Sequence, residues 1–126
     1  MERHIATIHI TAGREVLIVQ SPRWADLHWS IPGDRVQEVE TLQQAAQRIV
    51  RDEIGIFLEE DNFKYVASKS STTESGVLRI VYLLRVRLGQ WPALPMVGPR
   101  DHLIRRVLLT ELFRYLTRRE VAFMLQ

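Results

Sequence analysis

Apolar and polar side chains alternate over residues 4–11, and this period of two predicts a β-strand. Residues 12–15 fit a tight turn, and the apolar run at residues 16–19 fits a buried strand, so the two segments predict a β-hairpin. His4 and His9 are five positions apart, on opposite faces of the first strand. We therefore expect them to be surface side chains rather than metal ligands.

Helical spacing replaces this alternation after residue 40. Thr41 and Gln44 fit a capping box, in which each side chain satisfies a free backbone N–H of the other residue. The apolar positions of the predicted helix are Leu42, Ala45, Ala46, Ile49, Val50 and Ile54. Gly55 supplies the stop. Ahead of the helix, residues 29–31 predict a short strand that ends at Pro32.

The second half of the chain reads mostly as strands. Predicted elements are strands at 62–70, 77–88 and 105–109, a polar turn at 71–76, a proline-rich loop at 89–99, and one or two short helices at 110–125. Arg79, Arg85 and Arg87 occupy odd positions of the long strand and predict one solvent-facing side. This order of elements predicts an α+β fold with a mixed sheet, in a single domain over residues 1–126.

Composition narrows the function classes. Of 126 residues, 46% are apolar and 25% charged, which is ordinary for a soluble globular protein. No apolar run is long enough to span a membrane, the N-terminus does not read as a signal peptide, and we expect a cytoplasmic protein. The absence of cysteine excludes disulfides and thiolate chemistry.

Positive charge is concentrated in the last quarter of the chain, although the net charge is only +2. A basic face there could meet nucleic acid, but the nearby aromatic residues are spaced as in a helix core. We therefore expect arginine side chains lying over apolar surface, and a nucleic-acid partner is the weaker alternative. The long apolar strand and Trp91 in the proline-rich loop are compatible with a homodimer, and the sequence does not decide the oligomeric state.

Asp52 and Glu53 are adjacent acids at the end of the predicted helix, and they share one surface of its last turns with position 49. The helix dipole disfavours acids at this end, so a bound cation is one reason for them to be there. Carboxylates together with a loop carbonyl, such as that of Gly33, are ligands of hard cations. The alternative interpretation is plain surface charge.

The segment from Trp29 to Ile56 resembles the signature box of the Nudix (MutT-like) hydrolases, G-x5-E-x7-R-E-U-x-E-E-x-G-U with U apolar. The matching residues are Glu40, Arg48, Val50, Glu53, Gly55 and Ile56, and Asp52 stands in for a Glu. Two positions depart from the box. Asp34 stands at the position of the opening Gly of the box, and Ile49 stands at the position of its first helix Glu.

The resemblance implies a Nudix fold, a mixed sheet between helices, and hydrolysis of a nucleoside diphosphate linked to another group, nucleotide sugars included. It implies Mg²⁺ or Mn²⁺ held by the Gly33 carbonyl, Asp52 and Glu53, the last two also being catalytic candidates. Arg48 and Glu40 are expected to form an orienting ion pair. Ile49 predicts weakened or altered catalysis. The alternative is an inactive Nudix-like module that binds a nucleotide or a protein.

One branch of the family, the GDP-mannose mannosyl hydrolases, also has an apolar residue where Ile49 lies. That branch attacks the sugar carbon with a His base from the loop before the last strand. His102 is the corresponding candidate base here, with Asp101 as the alternative. Arg23 and Trp24, in the loop after the second strand, are candidates for binding phosphate and base.

Overall fold

The computed structural model describes residues 2–23 and 28–126. Its strands are β1 (Glu2–Ala12), β2 (Glu15–Gln20), β3 (Gly33–Arg35), β4 (Lys64–Thr72), β5 (Leu78–Leu88) and β6 (Leu103–Leu108). Its helices are α1 (Leu42–Ile54) and α2 (Arg118–Met124), with 3₁₀ turns at Glu60–Asn62 and Leu109–Arg114. Neither helix has the length and apolar character needed to cross a membrane, within the residues described.

Strand β1 is the centre of the sheet, whose order is β4-β5-β1-β2-β6 with β3 paired to β1. It runs parallel to β5 along its whole length, whereas its pairings with β2 and β3 are antiparallel. Strands β4 and β6 pair antiparallel with β5 and β2. The predicted α+β fold with a mixed sheet is confirmed.

The segment that carries Gly33, the candidate loop ligand, follows β2 in the chain but lies between β1 and β2 in the sheet. These two strands pair only beside their turn, and further along the sheet Ser30 bridges Val19 while the Ile8 N–H donates to the Pro32 carbonyl at 2.9 Å. The prediction of a strand at residues 29–31 was therefore wrong in position. Pro32 has no N–H to donate, so regular pairing begins only at Gly33, opposite Thr7.

Helix α1 forms as predicted, because both of its ends are capped. The Thr41 hydroxyl accepts from the Gln44 N–H at 3.0 Å, and the Gln44 side chain accepts from the Thr41 N–H at 2.9 Å. Gly55 ends the helix at φ 86°, a left-handed conformation that suits glycine. The buried face of the helix packs on one side of the sheet, in a core with Ile8 and Ile10 of β1.

The opposite side of the sheet is covered by α2, where Val16, Leu83 and Met124 share a second core. This helix corrects the prediction for His9. The odd positions of β1 do form the face expected from the alternation, but α2 covers it, and His9 is only 5% exposed. The predicted solvent-facing side of β5 is divided in the same way, since Arg79 and Arg87 are exposed while Arg85 is half-buried beneath α2.

The loop after β5 returns to α1 before the chain enters β6. Val97 bridges Leu103, and the Gly98 N–H donates to the His102 carbonyl at 2.8 Å. Gly98 lies directly against the Glu53 carbonyl, so a Cβ at this position would overlap backbone atoms of the helix. The loop therefore reaches the end of α1 only because residue 98 has no side chain.

We expect Gly98→Ala to destabilise the protein by about 1–3 kcal/mol, because the added methyl group must displace the loop from α1. Denaturant unfolding would measure the loss. Gly89→Ala is the matched control, since nothing lies within 4 Å of a Cβ built there. It should change the free energy of unfolding by no more than about 0.5 kcal/mol. Equal effects of the two changes would contradict this packing.

Candidate active site

Glu53 is the centre of the candidate site. Its carboxylate lies in the last turn of α1 and the residue is only 4% exposed. The Gly33 N–H donates to Glu53 Oε1 at 3.4 Å, and His102 Nε2 lies 3.9 Å from the same oxygen. The site therefore joins three segments, namely β3, the end of α1 and the loop before β6.

The pKa of the Glu53 carboxyl is raised from an ordinary 4.5 to about 8, chiefly by burial. The negative charges of Asp34 and Asp52 act in the same direction, whereas the Gly33 hydrogen bond and the charge of Arg100 act to lower this pKa. The carboxylate form is thus poorly compensated by its surroundings. A cation bound beside Glu53 would supply the missing compensation.

Asp52 is half-buried and is held between two arginines. Its Oδ1 lies 3.3 Å from Arg51 Nε, and its Oδ2 lies 3.2 Å from Arg100 Nη2. Arg100 was not among the predicted site residues. The only available signal was its position in the same Arg-Asp-His run as the candidate base.

His102 meets Glu53, whereas the neighbouring Asp101 is exposed. The His102 side chain is 12% exposed, and burial lowers its pKa, with further lowering by the charges of Arg23 and Arg100. A lowered pKa keeps the imidazole neutral near pH 7, the form that can accept a proton. Of the two candidate bases, the structure brings His102 to the site.

The predicted Arg48–Glu40 ion pair is present and bidentate. Arg48 Nε and Nη2 donate to the Glu40 carboxylate at 2.7 and 3.0 Å, and Nη2 also donates to the Arg35 carbonyl at 2.7 Å. The hydrogen bond from Arg48 lowers the pKa of Glu40. This network ties the segment between β3 and α1 to the helix. It therefore fixes the segment that follows Gly33 and leads into the helix.

The two predicted substrate-binding residues differ in what the structure shows. Arg23 is exposed, its N–H donates to Ser21 Oγ at 3.2 Å, and its charge acts on His102. The charge of Arg23 therefore reaches the site. Trp24 lies outside the described residues.

Ile49 lies in the α1 core at 1% exposure, as its place in the apolar stripe predicted. It precedes Glu53 by one helical turn, so the position that carries an acid in the Nudix box contributes apolar surface here. An apolar side chain at this position is consistent with the burial that is the main cause of the raised pKa of Glu53.

The donor set fits a hard cation held by few protein ligands. Within residues 2–23 and 28–126, no group of three or more acidic or histidine side chains is arranged to hold a metal ion. Glu53 nevertheless offers an uncompensated carboxylate, and Asp52 a second one that arginines now hold. Mg²⁺ is often bound by one or two carboxylates together with substrate phosphates. The contact that Gly33 makes with Glu53 uses its N–H, and the role of its carbonyl stays a prediction.

A cavity of about 360 Å³ opens beside Gly33 on the α2 side of the sheet. Its wall includes Thr7 of β1, Lys69 of β4 and Glu120 with Phe123 of α2. The Lys69 ammonium lies 4.5 Å above the Phe123 ring. The cavity therefore combines an aromatic ring with charges of both signs, and it leads directly to the residue that contacts Glu53.

The sequence matches the family model of the NUDIX domain over residues 2–119. The chain belongs to the Nudix hydrolase family. A search of curated proteins finds no match for this Nudix protein.

Solved structures share the fold of this Nudix chain. The MutT NUDIX hydrolase from Burkholderia pseudomallei has 19% identity and a TM-score of 0.80, with 100% of this chain and 98% of that chain covered. The E. coli dihydroneopterin triphosphate pyrophosphohydrolase has 17% identity and a TM-score of 0.75, with coverage of 96% and 91%. A bifunctional NMN adenylyltransferase/ADP ribose pyrophosphatase from Francisella tularensis, complexed with AMP and a Mn ion, has 20% identity and a TM-score of 0.65, with coverage of 86% and 34%.

The raised pKa of Glu53 predicts a pH-dependent stability. The folded protein retains a proton that the unfolded chain releases above about pH 4.5, so this group's stabilising contribution falls as pH rises towards about 8. The slope from one group is at most about 1.4 kcal/mol per pH unit. Denaturant unfolding with a chelator present, between pH 5 and pH 8, would measure it.

Glu53→Gln should remove this slope and make the protein more stable than the wild type at pH 8, because the amide stays neutral. Glu59→Gln, at an exposed position, is the matched control and should leave the slope unchanged. A slope that persists unchanged in Glu53→Gln would show that groups other than Glu53 cause it, and would contradict this prediction.

Proposed function

We propose that this protein hydrolyses a nucleoside diphosphate linked to another group, in the presence of Mg²⁺ or Mn²⁺. The observation that carries the proposal is the buried, uncompensated Glu53 carboxylate, set between the Gly33 N–H and the His102 imidazole. The names of two structural neighbours add support, since a dihydroneopterin triphosphate pyrophosphohydrolase and an ADP ribose pyrophosphatase both act on phosphoanhydrides.

Glu53 would hold the cation, with Asp52 and the Gly33 carbonyl as further ligands. When bound, the ion would neutralise the diphosphate and favour ionisation of an attacking water. Asp52 can contribute only when Arg51 or Arg100 releases it, and substrate phosphates are the natural acceptors for those guanidinium groups. Arrival of the substrate would thus free a ligand for the cation.

The nucleoside would lie in the cavity beside Gly33, with its phosphates directed towards Glu53. Phe123 offers a ring for the base, and Glu120 and Lys69 offer groups for polar recognition. Arg23 and Trp24 remain our candidates for holding phosphate and base from the neighbouring loop. The Arg48–Glu40 pair would act by positioning the segment between β3 and α1.

His102 is the proposed general base, since it is neutral near pH 7 and lies beside Glu53. Ile49 removes an acid that the Nudix box provides, so we expect slow hydrolysis of the phosphoanhydride or attack on a sugar carbon instead. A nucleotide sugar offers both bonds to the same site. The position of the oxygen taken from water distinguishes the two reactions.

The second candidate function is a non-catalytic Nudix module that binds a nucleotide or a protein. Ile49 in the core and the two arginines held by Asp52 favour it, because both lower the number of ligands ready for a cation. Such a module would keep the cavity beside Gly33 without turnover.

We expect turnover of at least one nucleoside-diphosphate-linked compound with Mg²⁺ or Mn²⁺, and a loss of about 100-fold or more in Glu53→Gln. A panel that includes nucleotide sugars, assayed in ¹⁸O water with mass analysis of the products, would measure both turnover and the bond cleaved. Glu59→Gln is the control and should retain activity. Absence of turnover across the panel, with a folded protein that still binds nucleotides, would favour the non-catalytic module.

The departure at position 49 predicts a gain of function. Ile49→Glu would restore the acid of the Nudix box one turn before Glu53, and we expect metal-dependent turnover to rise about 10-fold or more. The change also buries a carboxylate in the α1 core and should lower stability. Ile49→Gln is the matched control, because a Gln side chain has nearly the shape of Glu but carries no charge. If the two variants turn over substrate equally, the missing acid is not what limits this protein.

A further inference from the structure

A second cavity, of about 300 Å³, lies at the turn between β1 and β2. It shares no lining residue with the cavity beside Gly33. Its wall includes His9 and Thr11 of β1, Arg14 of the turn, and Arg85 with Arg87 of β5. The parallel pairing of β1 and β5 aligns His9 with Arg85 and Thr11 with Arg87, so these side chains share one face of the sheet.

His9 contributes to this wall, and its ring carries a hydrogen-bond donor that is buried behind the cavity surface. Arg85 Nε donates to His9 Nδ1 at 3.0 Å, so the neutral ring carries its proton on Nε2. Burial, together with the charges of Arg85 and Arg87, lowers the pKa of His9 to about 4, so the ring is neutral at physiological pH. Nε2 is fully buried and has no hydrogen-bond partner within the part of the chain that the structure describes. A buried donor left unsatisfied is costly, so a bound acceptor would stabilise it.

Positive charge dominates the same wall. Arg85 is held by His9 and by the carbonyls of Met124 and Gln126, at 2.7 and 2.9 Å. Arg14 and Arg87 are exposed, and the structure gives their side chains no ion pair within residues 2–23 and 28–126. An acidic side chain, that of Glu15, also lines this wall, and its carboxylate accepts a hydrogen bond from Trp91 Nε1 at 3.1 Å.

We propose that this cavity binds a phosphate group, with Arg87 and Arg14 as donors, and that a small shift of the His9 ring adds the buried Nε2–H as a third donor. A phosphate offers several strong acceptors and negative charge, which match a neutral N–H donor beside exposed guanidinium groups. The volume is at the small end of ligand cavities, which suits a phosphate ion or a small phosphate monoester. The inference is independent of the proposed hydrolase activity, because no residue of the candidate active site takes part.

The His9 Nε2–H resonance tests the site directly. In ¹⁵N-labelled protein, long-range imidazole spectra would be recorded while inorganic phosphate, and separately glycerol phosphate, is titrated against sodium chloride of equal ionic strength. We expect a saturable shift of this resonance with phosphate and none with chloride. Loss of the signal in His9→Phe would assign it. The tighter of the two phosphate compounds would identify the free ion or the monoester as the preferred form.

Arg87→Met should weaken phosphate binding about 10-fold or more, because it removes a charged donor from the cavity. Arg3→Met is the matched control, since it removes the same charge from the exposed far end of β1 and should change the dissociation constant less than twofold. The proposal is overturned if phosphate shifts the His9 resonance no more than chloride does. Equal weakening by the two arginine variants would also overturn it, because general charge would then account for binding.

Discussion

The candidate site depends on the burial of one carboxylate, that of Glu53. Three segments must pack together to bury it: β3 beside β1, the last turn of α1, and the loop that carries Gly98 and His102. Burial of a carboxylate is unfavourable unless it is compensated, and here a single weak hydrogen bond and a distant imidazole do not compensate it. Without a cation the carboxyl therefore keeps its proton up to about pH 8, and a bound cation would favour its carboxylate form.

The charges around Glu53 show how the site can work with fewer acids than the Nudix box provides. Four arginines act on the cluster, and they are Arg23, Arg48, Arg51 and Arg100. Among the described residues four acids face them, and they are Asp34, Glu40, Asp52 and Glu53. Loss of an acid at position 49 shifts this balance towards positive charge. A diphosphate could therefore be held partly by guanidinium groups, where a site richer in acids would rely on cations.

Local sequence signals predicted the parts of the site that lie on one element or one turn. The capping box, the Gly55 stop and the spacing that places Arg48 against Glu40 are all set within a few turns of α1, and all occur in the structure. Arg100 and Gly98 could not be found in this way, because their contacts with α1 cross more than forty positions of the chain. The position of β3 was missed by a few residues because its pairing partner is β1, which the local pattern around Pro32 does not reveal.

In the central strand, β1, the alternation of polar and apolar residues does not match the burial of the side chains. Strand β1 is covered on both faces, yet its odd positions from Thr7 to Thr11 are polar, and a strand buried on both sides usually reads as a continuous apolar run. Each polar side chain must then find a partner. The Thr7 hydroxyl donates to the Tyr82 carbonyl at 2.7 Å, and His9 Nδ1 accepts from Arg85, but His9 Nε2 has no partner in the described chain. At His9 the sequence places a polar side chain where the fold buries it, and the described chain does not satisfy its Nε2. Such a mismatch between the residue and its surroundings is expected at a position that binds a ligand.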